Sequence, residues 1–278
     1  MNYITLNNGV KMPQLGLGTF LSTDEKQCID AVNYALQAGY RMIDTAQAYG
    51  NEAFIGKALK NSDVKREDLF LVTKVWFKKY EDAYNSVLQS MKDLQTDYLD
   101  LVLLHWPFGN TYKAWRDLEK LYSEGKVRAI GVSNYNAARL IDLVEYNKIV
   151  PQVNQIETNI YAQQKENHKY MSELQVAHMG YAPLGQGRIN DFYESEEIKT
   201  IAAKYGKTPQ QIILRFQLQN GIIIIPKSVN KNRIEENINV FDFSLDEQDM
   251  NTLSSMDKAQ PMIGNPENPA LVIRSRSW

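Results

Sequence analysis

The sequence predicts an α/β protein folded as a (β/α)8 barrel, preceded by a β-hairpin and followed by extra late helices and a tail. Short apolar strand candidates alternate with longer amphipathic segments along almost the whole chain. Several of those strands, such as 101–104 and 222–225, are apolar on both faces, as parallel strands covered on both sides must be. Eight strands, each followed by helical sequence, close most naturally as a barrel. A doubly wound sheet is the competing architecture.

Each element has its own local reason. Asn8-Gly9 between short apolar stretches signals a hairpin near the N-terminus. The expected barrel strands are Leu15–Gly18, Met42–Asp44, Leu69–Val75, Leu99–His105, Ala129–Ser133, Val153–Glu157, Val176–Tyr181 and Ile222–Pro226. Asp24–Ala38 opens on a Ser22, Thr23, Asp24 capping run and stops at Gly39. The next helical stretches are Glu52–Lys60, Glu81–Leu94, Thr111–Glu124, Ala137–Asn147, Gln163–Leu174 and Ser195–Tyr205. Thr208-Pro209 starts a helix over Gln210–Gln219, and Lys231–Asn239 and Leu245–Leu253 follow. Ala259–Trp278, with three prolines, is expected as an irregular surface tail. No low-complexity linker precedes it, so residues 1–278 are expected to form one domain.

Composition narrows the function. The 278 residues carry 31 Lys+Arg against 33 Asp+Glu, a formal charge of −2 that does not suggest a broad nucleic-acid face. One cysteine, Cys28, allows neither an intramolecular disulfide nor a multi-cysteine metal site. Three histidines without an HExxH pattern predict no transition-metal centre. No apolar run approaches a membrane span and Met1–Gln14 does not read as a leader, so a soluble cytoplasmic protein is expected. Gly16-Leu17-Gly18 lacks the third glycine of a dinucleotide fingerprint, and Ala58 stands where a phosphate loop needs Ser or Thr.

Barrel chemistry sits where strands end. Those positions hold Asp44, Lys74, His105, Ser133, Asn134, Gln155, Tyr181, Lys227 and Ser228. Singly, Asp44 reads as a helix cap, Lys74 as a snorkelling surface lysine and His105 as a structural histidine. Together with Tyr49 they make a proton-donor set. A tyrosine has a pKa near 10, an ammonium beside it lowers that value, a carboxylate holds the ammonium, and a neutral imidazole orients a carbonyl oxygen.

Five motifs then resemble one family. Gly39 to Ala46, Tyr49-Gly50-Asn51-Glu52, Leu104-His105-Trp106-Pro107, Gly131 to Tyr135 and Ile225-Pro226-Lys227-Ser228 are similar to those of the aldo-keto reductases, in order and spacing. The similarity extends to bacterial members of the diketo-gluconate reductase and glyoxal reductase type. The resemblance implies reduction of aldehydes and ketones with NADPH, with Asp44, Tyr49, Lys74 and His105 as the catalytic set and Tyr49 as proton donor. It implies nicotinamide contacts from Thr19, Asp44, Ser133, Asn134, Gln155 and Tyr181, and a diphosphate loop around Leu184 and Gly185. Lys227, Ser228, Val229, Asn230, Arg233, Glu236 and Asn237 match the segment for the adenosine 2′-phosphate and adenine. That is chemically apt, because two cations flank the start of a helix. Phe20, Trp76 and Trp106 match the substrate-pocket walls. Ala182 departs from the Ser found before the Pro in many members. A monomer is the family expectation. The implied partner is a small carbonyl compound. The last 20 residues are expected to form part of the pocket rim, where Arg274 and Arg276 give a weak hint of anionic substrates and suit surface solubility better. Two other functions compete: an NADPH-sensing barrel without turnover, and a hydrolase or isomerase using Asp44 with Glu157.

Overall fold

A computed structural model describes residues 1–187, 191–263 and 265–278. The chain runs β1 (Tyr3–Thr5), β2 (Lys11–Pro13), β3 (Leu17–Gly18), α1 (Glu25–Gln37), β4 (Met42–Asp44), α2 (Glu52–Lys60), β5 (Phe70–Val75) and α3 (Ala83–Asp93). It continues through β6 (Leu101–Leu104), α4 (Thr111–Ser123), β7 (Ile130–Ser133), α5 (Ala137–Glu145), β8 (Val153–Glu157), α6 (Lys165–Glu173) and β9 (Ala177–Tyr181). Then come α7 (Glu196–Tyr205), α8 (Pro209–Gln219), β10 (Ile223–Ile224), α9 (Lys231–Ile238), α10 (Glu247–Ser255) and α11 (Pro269–Arg274).

β3 to β10 form an eight-stranded parallel sheet in sequence order. The sheet closes on itself: Leu15 bridges Ile224 and Gly18 bridges Lys227, and the Gly16 and Gly18 amides donate to Ile224 and Pro226. Gly18 is needed at that seam, because a Cβ there would lie 2.7 Å from the Ile225 carbonyl oxygen. This is the (β/α)8 barrel, and the antiparallel β1–β2 hairpin buries Leu6 and Met12 against its interior.

The period of two along each strand separates two cores. Met42, Phe70, Val72, Leu101, Leu103, Val153 and Met179 fill the barrel interior, while Ile43, Leu71, Val75, Val102, Leu104 and Ile156 pack outward with the helices. Continuing the inward parity toward the C-terminal ends of the strands reaches Asp44, Lys74, His105, Ser133, Gln155, Glu157 and Tyr181. Apolar side chains fill the lower layers and polar ones the top layer.

Helix starts follow their caps. The side chains of Asp24, Asn136, Ser195, Thr208, Asn230 and Asp246 each accept from a first-turn amide, and Thr208 with Gln211 makes a full capping box. The expected irregular tail is corrected. Asn268 caps α11, Pro269 opens it, and Leu271 is buried. Among the described residues no helix is long and apolar enough to cross a membrane.

Candidate active site

The polar strand ends and the loops beyond them surround a cavity of about 820 Å³. Asp44 and Lys74 form a buried ion pair beneath it, with Nζ 2.6 Å from Oδ1 and side-chain exposures of 2% and 0%. Lys74 also donates to the Thr45 carbonyl, 2.8 Å away, and Gln155 Nε2 donates to Asp44 Oδ2 at 2.8 Å. Asp44 is therefore no helix cap, and Lys74 does not snorkel to water. The inward parity of β4 and β5 forces both into the barrel, where each needs the other.

Tyr49 lies on a short 3-10 turn after β4, with Lys74 Nζ 5.1 Å from its ring centroid. The His105 ring stands edge-on to it at 5.7 Å between centroids. Burial and the Asp44 carboxylate push the Tyr49 phenol well above its usual value. Burial likewise raises Asp44 and lowers Lys74, each opposed by the other's charge. The expected lowering of the phenol by Lys74 is outweighed: the ammonium is paired with Asp44 at 2.6 Å, and burial and that carboxylate set the direction. Tyr49 is a firmly protonated donor. Burial, then Lys74, holds His105 well below the normal histidine range, so the imidazole is neutral. Its Nδ1 is buried and has no hydrogen-bond partner among the described residues.

On the opposite wall, Tyr181 donates to Asn134 Oδ1 at 2.8 Å, and Asn134 Nδ2 donates to the His105 carbonyl at 2.9 Å. Asn134 has φ 63°, a left-handed conformation that Asn tolerates well. Ser133 Oγ donates to the Gln155 carbonyl, and Thr19 Oγ1 donates to that of Asp44. These bonds lock one polar face.

Further along, Lys227 and Arg233 line the cavity at the start of α9, and neither makes an ion pair among the described residues. Burial and Arg233 together lower Lys227. Two neighbouring cations without an ion-pair partner among the described residues, beside a helix N-terminus, suit a phosphate. Ser228, Val229, Glu236, Asn237 and Leu184 line the same stretch. Glu236 also accepts from the Thr208 hydroxyl at 2.6 Å.

Phe20, Trp76 and Trp106 line the other end, with Phe20 at 5.1 Å from Tyr49 and Trp76 at 5.3 Å from His105 between centroids. Every residue expected in the site lines the cavity except three. Lys74 lies below it, Gly185 sits buried in the turn 185–187, and Asn230 turns its side chain back to cap α9. Arg274 and Arg276 are exposed and do not line it. Cys28, expected away from the site, is buried near enough to Lys227 for that charge to act on it. Burial wins and pushes the thiol up to about 11.

Sequence reasoning missed Tyr193 and Gln210, which also line the cavity, and it placed the tail at the rim without singling out Ile263 and Trp278, which line it too. Trp278 stacks on Trp76 at 6.0 Å and lies 5.4 Å from Trp106. No strand-end rule reaches such residues, because they come from outside the βα rhythm. Glu157 points inward, yet its two oxygens accept the Met262 and Ile263 amides at 2.8 Å each. With Asp44 also fully engaged, neither carboxylate is available as a hydrolytic base.

The Aldo/keto reductase family model matches residues 14–258. The chain is 42% identical over 267 residues to the glyoxal reductase of Bacillus subtilis, covering 95% of this chain and 96% of that one. It is 40% identical over 267 residues to the methylglyoxal reductase DkgA of Escherichia coli K12, with the same coverage. The crystal structure of MGS-M4, an aldo-keto reductase enzyme from a Medee basin deep-sea metagenome library, superposes with a TM-score of 0.93 at 41% identity, covering 96% of this chain and 99% of that one. With a family match over most of its length and the barrel and polar strand ends to go with it, this chain belongs to the aldo/keto reductase family.

Proposed function

We propose that this protein reduces small aldehydes and dicarbonyl compounds to alcohols with NADPH, with Tyr49 as proton donor. The carrying observation is the convergence of a protonated Tyr49 phenol and a neutral His105 imidazole on one cavity, above the buried Asp44–Lys74 pair. The relatives named as glyoxal and methylglyoxal reductases support the substrate class.

Ser133, Asn134, Gln155 and Tyr181 would hold the nicotinamide end, and Lys227, Ser228 and Arg233 the 2′-phosphate. The unpaired cations at α9 fit that group and favour NADPH over NADH. When bound, NADPH supplies the hydride. Tyr49 gives its proton to the carbonyl oxygen as negative charge develops there, and the phenol and His105 stabilise that charge. Lys74 lies under the Tyr49 ring, where it stabilises the phenolate left behind, and Asp44 fixes Lys74. Because Asp44 is held in turn by Gln155, the set is rigid. The cavity's cations all lie toward α9, and aromatic rings wall the other end, so uncharged carbonyl compounds fit better than keto-acids.

The test is NADPH oxidation, followed by absorbance, against a panel of aldehydes, dicarbonyls, keto-sugars and keto-acids. Tyr49→Phe is expected to lower kcat by about 10²–10⁴-fold while NADPH affinity persists. Near-normal turnover by the variant would refute the mechanism. Tight NADPH binding by the unaltered chain without turnover of any carbonyl would favour a sensor.

A further inference from the structure

Glu157 ends β8 with 2% exposure, and the donor set does not use it. Its carboxylate grips the tail instead. Oε1 accepts the Met262 amide and Oε2 the Ile263 amide, both at 2.8 Å, and Asn159 Nδ2 adds a bond to Oε1 at 3.2 Å. The same loop holds the tail's root, because the Tyr161 carbonyl accepts the Lys258 amide at 2.9 Å and Asp257 Oδ1 accepts the Gln163 amide at 3.1 Å. Further on, Asn136 at the start of α5 donates to the Glu267 side chain. Leu271 of α11 is buried, and Trp278 comes to rest against Trp76 and Trp106. The described stretches of the tail, 259–263 and 265–278, thus lie over the barrel mouth, with Ile263 and Trp278 both lining the cavity.

We propose that Glu157 is a positioning residue for carbonyl binding: its two-amide grip fixes Ile263, and through the tail the aromatic wall that Trp278 completes. A carboxylate suits the task because its two oxygens accept two backbone N–H groups at once, with full charge. A glutamine of the same shape offers one acceptor and turns an N–H₂ toward the other amide. The inference rests on the reductase reading for its kinetic consequence and not for the grip itself.

The experiment compares the intact chain with Glu157→Gln. Amide hydrogen exchange at Met262 and Ile263 is expected to speed up about tenfold or more. KM for a neutral carbonyl substrate should rise about tenfold, with kcat within about threefold and NADPH affinity within about twofold. Unchanged exchange would overturn the grip. Faster exchange with unchanged KM would overturn the role in binding, and a fall in kcat at constant KM would place Glu157 in the chemistry instead. If Glu157→Gln fails to fold, Glu157→Asp keeps the charge but shortens the reach and should show the same pattern in smaller measure. A chain that oxidises no NADPH with any carbonyl defeats the reductase reading and with it the binding role, while the exchange data still decide the grip.

Discussion

Replacing Asp44 with Asn removes the one ion-pair partner that Lys74 has among the described residues and leaves Glu52 as a weaker opposing charge. Lys74 Nζ is wholly buried and keeps only the Thr45 carbonyl at 2.8 Å once the 2.6 Å contact to Asp44 Oδ1 loses its charge. Breaking a buried pair from one side costs about 3–5 kcal/mol. The Asn oxygen can still accept from Lys74, which places Asp44→Asn near the lower end, about 3 kcal/mol. The Asn amide also meets Gln155 Nε2, donor against donor, and the Gln155 side chain must turn away. In a chain of this size about 1 kcal/mol moves Tm by about 2 °C, so a fall of about 6 °C is expected at pH 7. The pH dependence carries the sharper test. Burial already lowers Lys74, and only Asp44 and Glu52 oppose that, so the variant's lysine should fall further below its unfolded value. The unfolded chain then binds more protons in that interval, and the variant's deficit must shrink as pH rises from 7 to 9.5. Urea unfolding at both pH values measures it. Asp44→Leu with Lys74→Met, which leaves no lone charge, should recover more than half of the loss. A deficit below about 1 kcal/mol at pH 7, or one that grows with pH, would refute the reasoning.

Two further outcomes follow from other parts of the molecule. Lys227→Ala with Arg233→Ala should weaken NADPH about 100-fold and NADH less than about threefold in a calorimetric titration, since two charge-assisted contacts to one phosphate are lost; equal losses would remove the 2′-phosphate role. His178, outside the site, is bonded to Thr158 at 2.8 Å and His168 at 3.0 Å, and burial followed by the His168 charge pushes it down to about 3. Below its unfolded value near 6.5 the unfolded chain binds the extra proton. Stability should therefore fall as pH drops from 6.5 toward 4, with up to about 1.4 kcal/mol per pH unit from this group. His178→Gln should flatten that slope in chemical unfolding, and an unaltered slope would exonerate His178.

Much of this site could be read before any coordinates. Asp44, Lys74, His105, Ser133, Gln155 and Tyr181 are costly residues at apolar strand ends, and the two-residue period of a strand turns all of them inward. Lys227 and Arg233 are legible for a different local reason, as cations at a helix start. The Tyr49 pKa was not, because its direction depends on how closely Asp44 neutralises Lys74 across 30 positions of sequence. The Asn230 side-chain oxygen caps its own helix, a hydrogen bond that the resemblance to a cofactor-binding segment does not rank against a ligand contact.

The tail marks the boundary most clearly. Pro269 to Arg274 carries its own helix signal in Asn268-Pro269, yet nothing local says where that helix lies. Its place is set by Glu157 meeting two amides more than 100 positions later and by Trp278 meeting Trp76 some 200 positions earlier. Strand alternation, caps and turn residues act over a few neighbours, and so the barrel and its polar rim are written in the order of the residues. The wall that closes the cavity depends on contacts between segments far apart in the chain, and their partners become apparent only once the barrel has brought its strand ends to one face.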